Sequence, residues 1–448
     1  MPNVSTQIDE MMARAGKAAQ SFKGFSQLDV DRIVAAMTRA GVLNAMKLAK
    51  LAVDETGIGN VEDKLAKNHF ATQVVYDYMR GKPSVGIIGE QDGIISIAEP
   101  VGIIAAVTPV TNPSATTMFK ALIALKGANV ICFAFHPKAQ KCSVAAAQIM
   151  LDAAIEEGAP ADCIQWVTEP SVEATDTLMK HPEVAMVIAT GGGAMVKAAY
   201  SSGHPALGVG PGNVPVFIEK SADLALAIPD VIASKTFDHG TICSSDQSVI
   251  FDDREVAEKA LRLFEENGAY LCNETEKALL EAVMFDKQRG VPAMAIVGKK
   301  PQVIAELAGF CVPAEVKLLM VPLASTGAEE WMSREKLSPV LGWYVAQSRE
   351  EAIFAAVCQL ECGGAGHSAV VFTENEEVAK DYARRVPANR VVWNQPSVHG
   401  TIGAIYNELV PSLTLGCGAR GGNSTSENVG FTNLLNIKRV ARRNSGSK

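Results

Sequence analysis

Between residues 101 and 218 short apolar runs alternate with helical segments, and this alternation leaves few folds open. The runs 101–107, 130–135, 164–167, 184–189, 206–209 and 214–218 are apolar on almost every residue, not on every second one. A strand of that kind is buried on both faces. The pattern therefore predicts an α/β fold: a parallel sheet with helices packed on each side. Helices are expected to open near Pro113, to run from about 141 to 157 and 171 to 179, and to start again near Gly193. Ligands in such sheets bind beyond the carboxyl ends of the strands. Here those ends are 108–112, 135–138 and 190–193, rich in polar and glycine residues.

The flanking segments differ. Residues 5–80 carry apolar positions at helical spacing. Residues 84–99 alternate around the turn Gln91-Asp92-Gly93, which predicts a hairpin. A second α/β stretch follows from about 245 to 405, with strands expected near 247–251, 293–297, 316–321, 339–346 and 368–372. The 448 residues, 48% of them hydrophobic, suffice for two or three domains.

Composition excludes several functions. A net charge of −8 disfavours nucleic acid and anionic membranes as partners. The nine cysteines form no CxxC pair and the seven histidines no HExxH motif, so no metal site is expected. Scattered free thiols imply a reducing compartment. With no apolar leader and no run of 18 apolar residues, a cytoplasmic protein is expected. The stripe Ile8, Met11, Met12, Ala15 and Ala19 reads as core packing or as a tag for docking to a partner or microcompartment shell.

Within the second stretch, Cys243 lies in Gly240-Thr241-Ile242-Cys243-Ser244-Ser245. A thiol among small hydroxyl residues is either a nucleophile with donors around it or a small buried hydrophobe. Thr190-Gly191-Gly192-Gly193 offers bare backbone between a strand and a helix, suited to a diphosphate or to tight turning. Gly208-Val209-Gly210-Pro211-Gly212-Asn213 is a second glycine cluster. Asn112, just before Pro113, is either a helix N-cap or an amide donor aimed into the cleft.

These residues together resemble the coenzyme A-acylating aldehyde dehydrogenases. The likeness rests on TNP at 111–113, HPKA at 136–139, ATGGG at 189–193, AAYSSG at 198–203, GVGPGN at 208–213 and FDHGTICSSDQS at 237–248. EKLSPV at 335–340, GHS at 366–368 and LGCGARGGNSTSEN at 415–428 complete it. The chain is similar to the aldehyde dehydrogenase half of bifunctional aldehyde–alcohol dehydrogenases, and to thioester-forming succinate-semialdehyde and sulfoacetaldehyde dehydrogenases.

The resemblance implies an aldehyde dehydrogenase fold. A Rossmann-like cofactor domain would span 1–84 and 98–234, an α/β catalytic domain 235–408, and an oligomerisation element the hairpin 85–97 with the tail 409–448. Cys243 would attack the aldehyde, and Asn112 with the Cys243 backbone N–H would hold the oxyanion. Thr108, His136, Lys138, Gly191, Gly192, Gly193, Gly210 and Glu335 would bind NAD or NADP, with Glu335 on the nicotinamide ribose. His367 would shuttle the proton of the CoA thiol, or make a structural hydrogen bond. A homodimer or homotetramer is implied, the tail strand near 434–437 pairing with a partner.

Two departures sharpen the expectation. Hydrolytic members of the superfamily carry a glutamate, which activates water, in the loop corresponding to 208–213. No carboxylate stands there in this chain, so the acyl group on Cys243 should wait for CoA. The family commonly has Gly-Ser-Trp-Gly after LGC, whereas positions 418–421 read Gly-Ala-Arg-Gly. Arg420, with His399 expected nearby, suits an anionic short aldehyde such as sulfoacetaldehyde or succinate semialdehyde, or else pairs with an acidic neighbour or the CoA phosphates. Acetaldehyde and propionaldehyde, a phosphorylating reductase, and a non-catalytic cofactor-binding subunit are the competing readings. Since the chain stops where the bifunctional proteins continue, alcohol formation is not expected.

Overall fold

The structure, a computed structural model, describes residues 4–443. Among them are seventeen strands. The hairpin is β1 (Gly86–Gln91) and β2 (Ile94–Pro100). The first α/β unit holds β3 (Ile103–Val107), β4 (Val130–Ala134), β5 (Ile164–Trp166), β6 (Val184–Thr190) and β7 (Ala206–Val209). The second begins with β8 (Val214–Ile218), β9 (Asp246–Phe251) and β10 (Ala269–Leu271). It continues through a two-residue ladder of β11 (Phe285–Asp286) and β12 (Val291–Pro292), then β13 (Leu318–Pro322), β14 (Val340–Val345), β15 (Gly366–Phe372) and β16 (Ala388–Trp393). β17 (Leu435–Ala441) closes the series.

The first sheet is parallel in the order β5-β4-β3-β6-β7. Every residue of β3 and β4 is buried, as their unbroken apolar sequences require. The order reverses between β3 and β6, which opens a crevice between the loops that follow them. Thr108 follows β3 and Gly191 follows β6.

The second sheet is also parallel, in the order β10-β13-β14-β9-β8-β15-β16. It takes in β8, so the division between the units falls between Val209 and Val214, not at 234/235 as the sequence suggested. Helix Leu224–Thr236 follows β8 into the second unit, where Ala227, Ile228 and Val231 pack against Val216 and Val249. The sequence separated β7 from β8 but could not assign them to different sheets, because both are short apolar runs with only four residues between them.

The strand expected near 293–297 is a turn. Ile296 N–H bonds back to the Ala293 carbonyl, and Gly298 takes a positive φ of 65°. Ile296 and Val297 are apolar because they are buried in the core of the second unit, against Ile58 and Met332 among others. A buried turn and a buried strand look alike in sequence.

The N-terminal stripe also has a definite place. In helix Val4–Phe22, Ile8, Met11, Met12 and Ala15 are buried in the first unit's core, which leaves no apolar face for a docking tag. β17 pairs antiparallel with β2 of its own chain along its whole length, giving the three-stranded order β1-β2-β17. The tail strand is thus held by its own hairpin, and its other edge carries no strand among the described residues. No described helix is long and apolar enough to cross a membrane.

Candidate active site

Cys243 lies in the loop that leads into β9. Ahead of it Asp238 and His239 hold φ of 47° and 52°, followed by Gly240 at 73°. Left-handed backbone at two non-glycine residues costs energy and persists only where surroundings enforce it. They do so here. The Asp238 N–H donates to Asp63 Oδ2 at 2.7 Å. The Asp238 carboxylate accepts from Lys64 Nζ at 2.9 Å, Lys67 Nζ at 2.5 Å and the Thr241 hydroxyl at 3.1 Å. All three charged side chains are buried. Burial alone would raise the Asp238 carboxyl, but the two ammoniums together outweigh it and hold it below its ordinary value. Gly59 packs so closely that a Cβ there would sit 1.7 Å from Asp238 Oδ1.

Lys64 also donates to the Thr111 carbonyl at 3.1 Å. One ammonium thus ties the Asn112 turn to the cysteine loop. Asn112 precedes helix Pro113–Lys126, yet its side chain makes no capping bond. Of the two readings its sequence allowed, the capping one is set aside. The amide makes no hydrogen bond among the described residues.

The glycine loop closes over the cysteine. A Cβ on Gly212 would lie 1.9 Å from the Cys243 carbonyl oxygen and 3.4 Å from His367 Cε1. Only glycine fits there, so a side-chain carboxylate cannot stand at this point of the loop. Gly212 N–H donates to Glu335 Oε1 at 3.1 Å. Cys243, Gly212, Glu335 and His367 are therefore neighbours, although their numbers span 155 positions in all.

Their protonation is set by burial. Burial first, then the nearby Glu335 and Cys417, pushes the Cys243 thiol up to about 12. Glu335 is raised to about 7 by burial, partly offset by the Gly212 hydrogen bond and by Lys235 and Lys336. His367 is fully buried. Its Nδ1 bonds to Ser368 Oγ at 3.0 Å and its Nε2 has no partner. Burial, then the Arg390 charge, lowers the imidazole to about 3.

Sequence reading missed Arg390. It is buried on β16 and donates to the His367 carbonyl at 2.9 Å and the Ser426 carbonyl at 3.2 Å, facing Cys243 and Cys417. An arginine in Ala-Asn-Arg-Val-Val-Trp carries no motif. Lys64 and Lys67 were missed too, their only sign being two charges on a helix face that is otherwise buried.

The cofactor residues are placed as follows. Thr108 is buried beside the crevice and its hydroxyl has no partner. Gly191, Gly192 and Gly193 open helix Gly193–Tyr200 without any side-chain cap, and a Cβ on Gly192 or Gly193 would meet nothing within 4 Å. The Gly191 N–H is taken by the Val209 carbonyl at 3.4 Å, but those of Gly192 and Gly193 lie under open space and suit a diphosphate. His136 is fixed by a bond from Lys138 N–H to its Nδ1 at 3.1 Å, at the end of β4. These groups fit a nicotinamide dinucleotide.

A cleft of about 460 Å³ is lined by Gly193, Lys197, Gly210, Pro211, Cys417 and Arg420, among others. Arg420 makes no ion pair among the described residues. His399 is not among the residues that line this cleft. Its ring meets Phe237 edge-on at 4.8 Å and lies 6.4 Å from Tyr406. The two residues were linked only through motif order, which carries no distance.

The family model described as "Aldehyde dehydrogenase family" matches residues 3–277. The chain belongs to the aldehyde dehydrogenase family. It is 49% identical over 406 residues to an aldehyde-alcohol dehydrogenase of Streptococcus pneumoniae, covering 89% of this chain but 46% of that protein. The chain thus spans about half the length of that relative. It is 38% identical to the succinate-semialdehyde dehydrogenase (acetylating) of Clostridium kluyveri, covering 98% and 97% of the two chains. An acetylating aldehyde dehydrogenase from Geobacillus thermoglucosidasius has the same fold, with a TM-score of 0.95 and 45% identity over 99% of this chain and 98% of that one.

Proposed function

We propose that this chain is a CoA-acylating aldehyde dehydrogenase: aldehyde + CoA + NAD(P)+ ⇌ acyl-CoA + NAD(P)H. The observation that carries the reading is the loop 208–213 lying on Cys243 with glycine at the contact and no carboxylate. General base catalysis is worth about 10²–10⁴-fold. With no carboxylate in this loop to activate water, the thioester persists long enough to meet a thiol.

The residues divide the work. Cys243 adds to the aldehyde carbon, and the unpartnered Asn112 amide with the Cys243 N–H faces the developing oxyanion. A nicotinamide cofactor in the crevice beside Thr108 and Gly191–Gly193 would accept the hydride. Collapse leaves an acyl thioester on Cys243, and CoA takes the acyl group, restoring the thiol. A ping-pong pattern follows.

The substrate is a short aldehyde. Arg420, unpaired at the wall of the cleft, supports an anionic one such as sulfoacetaldehyde or succinate semialdehyde. Its companions Lys197 and Gly193 equally suit a phosphate of CoA or of NADP, and in that case acetaldehyde or propionaldehyde is the substrate. The unpaired edge of β17 supports a homo-oligomer joined along that strand.

The test offers acyl-enzyme to CoA, phosphate and water in turn, across an aldehyde panel with NAD and NADP. CoA-dependent turnover that vanishes in Cys243→Ala is expected. Product formation with water or phosphate in place of CoA would overturn the reading.

A further inference from the structure

The acylating reading leaves one proton without a carrier. CoA's thiol must lose it before attacking the thioester. His367 is the obvious acceptor by sequence, but its place argues otherwise. It is enclosed, and the Arg390 guanidinium, a permanent cation, bonds to its own carbonyl. An imidazole so held stays neutral near pH 7 and gives up any added proton at once. It can hydrogen-bond toward the cysteine loop, but it is a poor reservoir.

Glu335 stands where a reservoir is needed. Gly210 and Pro211 line the cleft. The next residue, Gly212, donates its N–H to Glu335 and lies against the Cys243 carbonyl. Glu335 and Cys243 thus meet at Gly212, and the carboxylate is close enough to the Cys243 thiol to raise it. Resting on the acylating reading, we infer that Glu335 is the general base that takes the proton of the CoA thiol.

The step balances. The S–H proton of CoA goes to a Glu335 oxygen as its sulfur forms a bond to the acyl carbon. The bond from that carbon to Cys243 Sγ then breaks, and the departing thiolate recovers the proton from Glu335. No redox change occurs in this half-reaction. The resemblance places Glu335 on the nicotinamide ribose, and the two duties follow one another: the carboxylate is free for the thiol once the cofactor has left.

The surroundings suit a base. Lys235 on helix Leu224–Thr236 and the adjacent Lys336 face Glu335 with positive charge, while Asp246 at the start of β9 faces Lys235. Both lysines are themselves lowered by burial. The net result is a carboxyl near 7, matched to proton exchange with a thiol at neutral pH.

The experiment uses the whole chain acylated with p-nitrophenyl acetate, so that no cofactor step is read. Deacylation is timed with CoA and with a small thiol of low pKa that is already ionised. In Glu335→Gln the CoA rate should fall by about 100-fold or more, the ionised thiol's rate by much less. The wild-type CoA rate should rise to a plateau as pH passes about 7. Glu335→Gln should lack that inflection, and Glu335→Asp should restore part of it. Equal losses with both thiols, or an unchanged CoA rate, would overturn the inference, as would the same selective loss in His367→Asn with Glu335 intact. If the wild-type acyl-enzyme ignores CoA, it is the acylating reading itself that fails.

Discussion

Replacing Gly212 by alanine probes the contact that defines the site. The added methyl would lie 1.9 Å from the Cys243 carbonyl oxygen and 2.9 Å from its carbon, whereas ordinary contact begins at 3.4 Å. Relief requires a shift of about 1.5 Å, the difference between 3.4 and 1.9. The glycine loop cannot supply it by retreating. Asn213 is tied to the Gln359 carbonyl at 2.8 Å, and Gly364 packs on its backbone so tightly that a Cβ there would be 2.6 Å from Asn213 N. The cysteine loop must therefore move. Displacing a reacting group by about 1 Å costs roughly 10²-fold in rate. Overpacking a core costs about 1–3 kcal/mol of stability. The expected Gly212→Ala enzyme is folded with a lowered Tm, and its kcat falls about 10²-fold or more. Gly210→Ala is the comparison, since a Cβ there meets nothing within 4 Å. Its cost should fall on KM for CoA and cofactor. Steady-state kinetics beside thermal unfolding reads both. A Gly212→Ala enzyme with wild-type kcat and Tm would refute the reasoning.

Asn112→Ala should lose about 10²-fold in kcat/KM, roughly 3 kcal/mol of oxyanion stabilisation, with little change in Tm because the amide caps nothing. Arg420→Ala should raise KM selectively: for sulfoacetaldehyde over acetaldehyde if the cation meets substrate, or for CoA over 3′-dephospho-CoA if it meets phosphate. Asp238→Asn leaves two buried ammoniums without their carboxylate and should cost about 3–5 kcal/mol, read by denaturant unfolding. Because the Asp238 pKa is lowered in the folded state, its contribution is full above the unfolded value near 3.8 and is lost as pH falls through the folded one. The variant should therefore lose less stability than wild type on acidification below about pH 4.

What was legible in the sequence follows from the range of the signal. β3 through β7 could be read because a strand buried on both faces needs a nearly unbroken apolar run, and the runs of β3 to β6 were each followed by a helix. The unit boundary was not legible, because sheet membership of β8 is decided by pairing with β9 and β15, partners distant in the chain. At the site, the Cys243 loop, the glycine loops, Glu335 and His367 could be singled out through motifs. Their proximity could not be, since it depends on the fit of Gly212 against two other segments. Arg390, Lys64 and Lys67 escaped notice because a buried charge is recognisable only once its partner is in view.

The first unit's core is finished by distant residues. Leu413, Val429, Phe431 and Leu434 pack into it, and Asn129 donates to the Leu434 carbonyl at 3.0 Å across 305 positions. A ribosome makes the five strands of the first sheet long before it makes those residues. The nascent first sheet must therefore wait with part of its apolar surface bare while the entire second unit is synthesised. Chaperone occupancy during translation should peak over that interval and fall only when the segment around residue 434 emerges.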